Sequence, residues 1–237
     1  MCLKSLLIQG AKALGTELTD EMAAQLSLYA AFLEEKNSVM NLTAISGVDD
    51  IVRFHFLDSL ALLPMASFQG CSVIDVGTGA GFPGVPLNIA EPTIKLTLLD
   101  AQQKRVNFLK ELCTLLKLTG VVCLNARAEE AARTAALRGM FDIAVSRAVA
   151  RLNVLAELCL PFVKTGGLFI AMKAVDSDAE ISEAASAFEK LGAVLEAVKD
   201  YEIQGAGVMH RAVCIRKTAA TPEAYPRRYA KIQKSPL

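Results

Sequence analysis

From residue 70 onward, short β-branched and aliphatic runs alternate with stretches long enough for a helix. No other feature of the chain constrains its fold as strongly. The runs are "SVIDV" (72–76), "IKLTLLD" (94–100), "VVCLNA" (121–126), "DIAVSR" (142–147) and "LFIAMK" (168–173). Between them lie helix-length stretches such as "AQQKRVNFLKELCTLLKL" and "RLNVLAELCLPFV". Strands linked by such crossovers pair in parallel, so the alternation predicts an α/β sheet with helices on both faces. Near the end, "AVLEAVKDYEI" and "HRAVCIRK", joined by the Gly-rich "QGAGVM", predict an antiparallel hairpin.

The start of the chain has a different texture. "TDEMAAQLSLYAAFLEE" opens on a candidate N-cap, Thr19, and repeats apolar residues at Met22, Leu26, Tyr29 and Leu33. "SGVDDIVRFHFLDSLALLP" begins likewise at Ser46 and stops near Pro64. A helical extension over 1–66 is therefore expected, ahead of an α/β domain over 67–237.

Composition excludes several classes. Hydrophobic residues make up 53% and charged residues 21%, a globular balance. No apolar run reaches the roughly 18 residues needed to span a bilayer, and the N-terminus has no signal-peptide pattern. Six cysteines without C-x-x-C spacing and only two histidines argue against a metal site and for reduced thiols in the cytoplasm. Net charge is zero, but it is segregated along the chain. Eight acids face two lysines over 176–202, whereas seven lysines and arginines face Glu223 over 211–237. The basic C-terminus, with Arg227, Arg228, Lys231 and Lys234, is a candidate phosphate contact.

The first strand runs into "VIDVGTGAGFPG" (73–84), in the position where open parallel sheets bind ligands. Gly79, Gly81 and Gly84 fit the dinucleotide spacing G-x-G-x-x-G only formally, because Asp75 lies within the strand and Pro83 and Pro86 follow the loop. An acid ahead of this loop suits the ammonium of S-adenosylmethionine, which has no pyrophosphate to cradle. Asp100, closing the second strand, is placed to accept ribose hydroxyls, though it also begins a helix. Ala128 and Glu129 follow the third strand, where an adenine ring would lie. The phosphate loop G-x-x-x-x-G-K-[ST] is absent.

"NLTAI" (41–45), "HFLDSL" (55–60), "VIDVGTGAGFPGVPL", "KRVNFL" (104–109), "ARAEE", "VSRAVA" and the closing "YPRRYAKIQKSPL" resemble the bacterial RsmG (GidB) 16S rRNA methyltransferases from about residue 20 to the end. The resemblance implies a Rossmann-like S-adenosylmethionine-dependent methyltransferase sheet. It also implies cofactor contacts at Gly77, Phe82, Ala128, Glu129 and Arg147. The implied acceptor is N7 of a guanine in 16S rRNA, position 527, on free rRNA or the small ribosomal subunit. A monomer with neither membrane nor metal partner is expected.

Ser146-Arg147-Ala148 ends the fourth strand without the Asn/Asp-Pro-Pro-aromatic motif of exocyclic-amine methyltransferases, and no cysteine nucleophile stands there. Guanine N7 has a free lone pair and no proton, so its methylation needs no general base. Arg147 is the candidate beside the reacting pair, as a fork onto guanine or as a cofactor contact. His55 and Asp58 share a helix face, to close over the cofactor or to bond to each other. Lys173, ending the fifth strand, is a candidate phosphate contact. The strand-four motif offers no base, and both histidines lie far from it in sequence, so transfer is expected to be nearly independent of pH between about 6 and 8.5. A small-molecule methyltransferase and an NAD-dependent oxidoreductase remain as alternatives.

Overall fold

In a computed structural model, residues 3–203 and 205–237 are described. A seven-stranded sheet runs in the order β3-β2-β1-β4-β5-β7-β6. Its strands are β1 (Ser72–Val76), β2 (Lys95–Asp100), β3 (Val121–Asn125), β4 (Phe141–Arg147), β5 (Val163–Ala174), β6 (Ala193–Glu202) and β7 (Met209–Lys217). The first five pair in parallel, and β7 pairs antiparallel with both β5 and β6. β5 extends five residues upstream of the run that predicted it.

Alternate residues of each strand feed two cores. Val73, Ile143 and Val145 face one; Ile74, Val76 and Ala144 face the other. Because both faces are covered, these strands are apolar almost throughout.

The N-terminal helices Leu3–Ala13 and Asp20–Met40 belong to the first core, where Leu7, Leu26 and Leu33 pack with Val73, Leu98 and Ile170. Thr19 does cap its helix, its hydroxyl accepting from Met22 N at 3.2 Å. The next helical run starts at Val48, with Gly47 and not Ser46 as its N-cap, and continues to Leu60 with one widened stretch, a π-helix over Val52–Leu57. The wider turn carries His55 and leads directly into Asp58.

Candidate active site: two cavities sharing Ala148

β1 ends in a loop that approaches its neighbours through bare backbone. Gly77 (φ +72°) has no room for a side chain, since a Cβ there would lie 2.5 Å from Val149 Cγ2. Asp75, fully buried behind the loop, accepts from Thr78 Oγ1 (2.7 Å) and Gly84 N (2.8 Å) through Oδ2. Its Oδ1 has no partner among the described residues. Burial pushes this carboxyl up to about 7, against the pull of those two donors. From the other side, the Tyr29 hydroxyl of the helix Asp20–Met40 donates to Ala80 O. The N-terminal helices thus clamp the glycine loop.

Beside this loop lies a cavity of about 380 Å³ lined by the ends of β1, β2 and β3. Gly77, Asp100, Arg127, Ala128, Glu129 and Val149 are in its wall. Asp100 Oδ2 accepts from Gly79 N (3.1 Å) and, at 3.5 Å, from Arg105 Nη1, whereas Oδ1 accepts only from Gln102 N (2.8 Å) and keeps a lone pair. Asp100 is thus not the cap of the helix Gln103–Leu115, whose N-cap is Gln102; it orders the turn ahead of that helix and lines the cavity. A carboxylate beside bare glycine backbone, with alanine walls beyond, fits an adenosine with its ribose at Asp100. Arg127 Nε donates to the nearly buried Glu129 at 2.6 Å.

A second cavity, about 470 Å³, opens at the ends of β4 and β5 and has Ala148 in its wall in common with the first. Ala148 has φ 55°, a left-handed conformation uncommon for alanine and found where function constrains the backbone. Asp58, Arg147, Lys173, Tyr201 and His210 line this cavity. Arg147 Nη1 donates to Asp58 Oδ2 and Phe54 O, both at 2.9 Å, and Nη2 approaches His55 Nδ1 at 2.9 Å. His55 Nδ1 also lies 3.1 Å from Phe54 O, but a guanidinium has only protons to offer at the shorter contact, so we assign Nδ1 as its acceptor and Nε2–H as the donor to Thr43 Oγ1 (2.8 Å). Burial, then the Arg147 charge, pushes His55 down to about 3, so it stays neutral at physiological pH.

Asp58 Oδ1 accepts from Tyr201 Oη (2.8 Å) and His210 Nδ1 (2.6 Å). Burial alone would raise the Asp58 carboxyl. The His210 bond, the Arg147 charge and the Tyr201 hydroxyl together hold it below the usual range. His210 is raised by its bond to Asp58, against partial burial. Burial, then the Asp58 charge, raises Tyr201.

The family description "GidB: rRNA small subunit methyltransferase G" matches residues 22–209. A relative from Lachnoclostridium phytofermentans, named ribosomal RNA small subunit methyltransferase G, is 44% identical over 98% of this chain and 97% of its own. Another of that name, from Alkaliphilus oremlandii, is 44% identical over the whole of both chains. This chain belongs to that family. Its fold is that of Rossmann-like methyltransferases. M. jannaschii TYW2, solved in complex with AdoMet, superposes with a TM-score of 0.54 at 18% identity, covering 68% of this chain and 74% of that one. TrmN from Thermus thermophilus gives 0.53 at 20% identity, covering 68% and 48%.

Several expected residues of this family member stand elsewhere than their motifs suggest. Asp75 is sealed behind the loop, where its carboxyl orders the backbone instead of facing either cavity. The Phe82 ring is also buried and lines neither cavity. It stacks on His55 (4.3 Å) and Tyr29 (5.2 Å), with Arg147 Cζ 5.0 Å from its centroid. His55 and Asp58 do not bond to each other; Arg147 bridges them. Lys173 donates to Ala150 O (2.7 Å) and Glu180 (2.5 Å), an internal pairing in place of a free phosphate contact.

The segregated charges meet in space. Arg211 pairs with Asp200 and Asp178, and Arg216 with Glu196. Lys217 is buried against Leu191 O and Thr221 Oγ1. Arg227 forks onto the fully buried Glu157 (2.6 Å), so it anchors the tail and is not a free phosphate contact. Arg228, Lys231 and Lys234 remain exposed.

Tyr201 and His210 are not legible as site residues from motifs. The signal lies in the hairpin register, which pairs Tyr201 directly with His210. Both histidines of the chain therefore reach the second cavity's cluster, contrary to the separation expected from sequence.

Proposed function

We propose that this protein transfers a methyl group from S-adenosylmethionine to N7 of a guanine in 16S rRNA, position 527 by family resemblance. The carrying observation is the pair of cavities that share Ala148 in their walls, one suited to an adenosine and the other lined by a buried, polarised Asp58–Arg147 pair. When bound, S-adenosylmethionine supplies a methyl group on a sulfonium. Asp100 would hold its ribose, and Gly77, Ala128 and Glu129 would border the rest of the nucleoside.

The acceptor side works by position and charge. Neutral His55 and ionised Asp58 fix the Arg147 plane in the wall of the second cavity; Nε and the second Nη2 proton, which have no partner among the described residues, would donate toward a base. Fixing the acceptor in this way supplies a large share of the barrier reduction, up to about 7–11 kcal/mol in favourable cases. N7 methylation leaves a cationic purine, and Asp58 offsets the positive charge that Arg147 would otherwise place beside it. None of the cysteines lines either cavity among the described residues, which disfavours a covalent carbon-methylation route. Exposed Arg228, Lys231 and Lys234 would meet rRNA phosphate.

The test is transfer of labelled methyl from S-adenosylmethionine to unmodified 16S rRNA and to small subunits, followed by mass-spectrometric mapping of the product nucleoside. 7-Methylguanosine at one position is expected. Label on an exocyclic amine, or only in small metabolites, would overturn the proposal.

A further inference from the structure

The C-terminal segment is held more firmly than a solvated tail requires. Arg138 donates to the carbonyls of Thr221, Pro222 and Tyr225, and Arg133 to those of Ala224 and Pro226. Arg227 then closes its fork on Glu157. These bonds deliver the short helix Tyr229–Lys234, which buries Ile232 in the second core.

That placement puts Tyr229 in the wall of the nucleoside cavity, near Ala126, Arg127 and Leu158. It is the only aromatic side chain lining that cavity among the described residues. Arg127 Cζ lies 4.9 Å from the Tyr229 ring centroid, and Glu129 fixes Arg127 in turn. Arg127 covers one face of the ring and Gln233 Nε2 donates to its hydroxyl (3.1 Å), so the ring is held in the wall that also carries Asp100, Ala126 and Ala128, with its other face to offer. An adenine is planar and offers a π-face, so a single aromatic wall is the surface it would use.

Resting on the assignment of this cavity to an adenosine, we infer that Tyr229 is the stacking face for the cofactor's adenine. The C-terminal segment is then a wall of the cofactor site as well as a carrier of exposed cations. Its anchoring by Arg133, Arg138 and Arg227 follows from that role, because a stacking ring has to be held in place.

S-adenosylhomocysteine titrated calorimetrically into wild type, Tyr229→Phe and Tyr229→Ala tests this without turnover. The phenylalanine variant should bind within about twofold of wild type and the alanine variant about tenfold more weakly, the scale of one base–aromatic stack. The chain contains no tryptophan and four tyrosines, so its fluorescence reports tyrosine alone. That fluorescence should fall on binding, and Tyr229→Phe should lose most of the fall. This arm decides the matter even where the alanine variant does not fold. Undiminished affinity in Tyr229→Ala, or an undiminished fluorescence change in Tyr229→Phe, overturns the inference. A wild type that binds no S-adenosylhomocysteine overturns the adenosine assignment itself.

Discussion

The nucleoside cavity and the acceptor cavity share one residue and are built by different means. Gly77, Asp100 and Ala128–Glu129 sit at the ends of successive parallel strands, each within a short contiguous motif. Asp58, Arg147, Tyr201 and His210 come from the helical turn that follows a π-helix, a strand end and an antiparallel hairpin, brought together only by tertiary packing. The first half is a local consequence of the fold. The second depends on long-range packing that converges on one buried carboxylate, and its variants should fail differently.

The largest effect expected belongs to the tail that supports the nucleoside half. Arg227→Ala leaves the fully buried Glu157 carboxylate unpaired and should cost about 3–5 kcal/mol of stability, measured by urea unfolding. A loss below about 1 kcal/mol, typical of an exposed pair, would return Arg227 to the free cations. In the acceptor half, Arg147→Lys should stay folded yet lose about 100-fold in single-turnover rate, since an ammonium cannot serve Asp58, Phe54 and His55 with one planar fork. Wild-type transfer in that variant would remove Arg147 from the site.

Asp100→Ala should weaken S-adenosylhomocysteine by about 1–3 kcal/mol, with any rate lost at low cofactor recovered near saturation. A rate defect that saturating cofactor leaves in place would blur the division between the halves. A smaller effect is expected from replacing Arg228, Lys231 and Lys234 together. The salt dependence of rRNA binding should flatten by roughly one log unit for each phosphate that these side chains neutralise. An unchanged slope would make these cations only a solvated surface.

The same contrast explains what could be read from the sequence. Sheet, hairpin and glycine loop were legible because periodicity and strand ends are local properties. Asp100 was legible for that reason too. Asp75 resembles a ligand because its position in the strand is visible in sequence, whereas its burial behind Thr78 and Gly84 depends on packing. The C-terminal charge looks free because sequence shows spacing along the chain and not the pairing of β6 with β7, which brings Asp200 to Arg211. Glu157 does carry a signal. An acid within "RLNVLAELCLPFV" needs a partner once buried, but only the fold shows that the partner is Arg227.

The central claim is that the acceptor half works by position and charge, with no general base. His210 decides it, being a partly exposed titratable group of the cluster. Its bond to Asp58 raises its pKa, so its positive charge is present at low pH and lost as pH rises through that raised value. A charge there opposes the cation forming on guanine. Single-turnover rates of wild type and His210→Gln should therefore be compared across about pH 6 to 8.5, where neither guanine nor arginine titrates. Wild type should rise gently with pH, by less than about tenfold, and His210→Gln should be flat and remain within about tenfold of it. A wild-type rate proportional to the neutral histidine, with a loss of about 10²–10⁴ in His210→Gln, would mean that His210 removes a proton and would contradict the account.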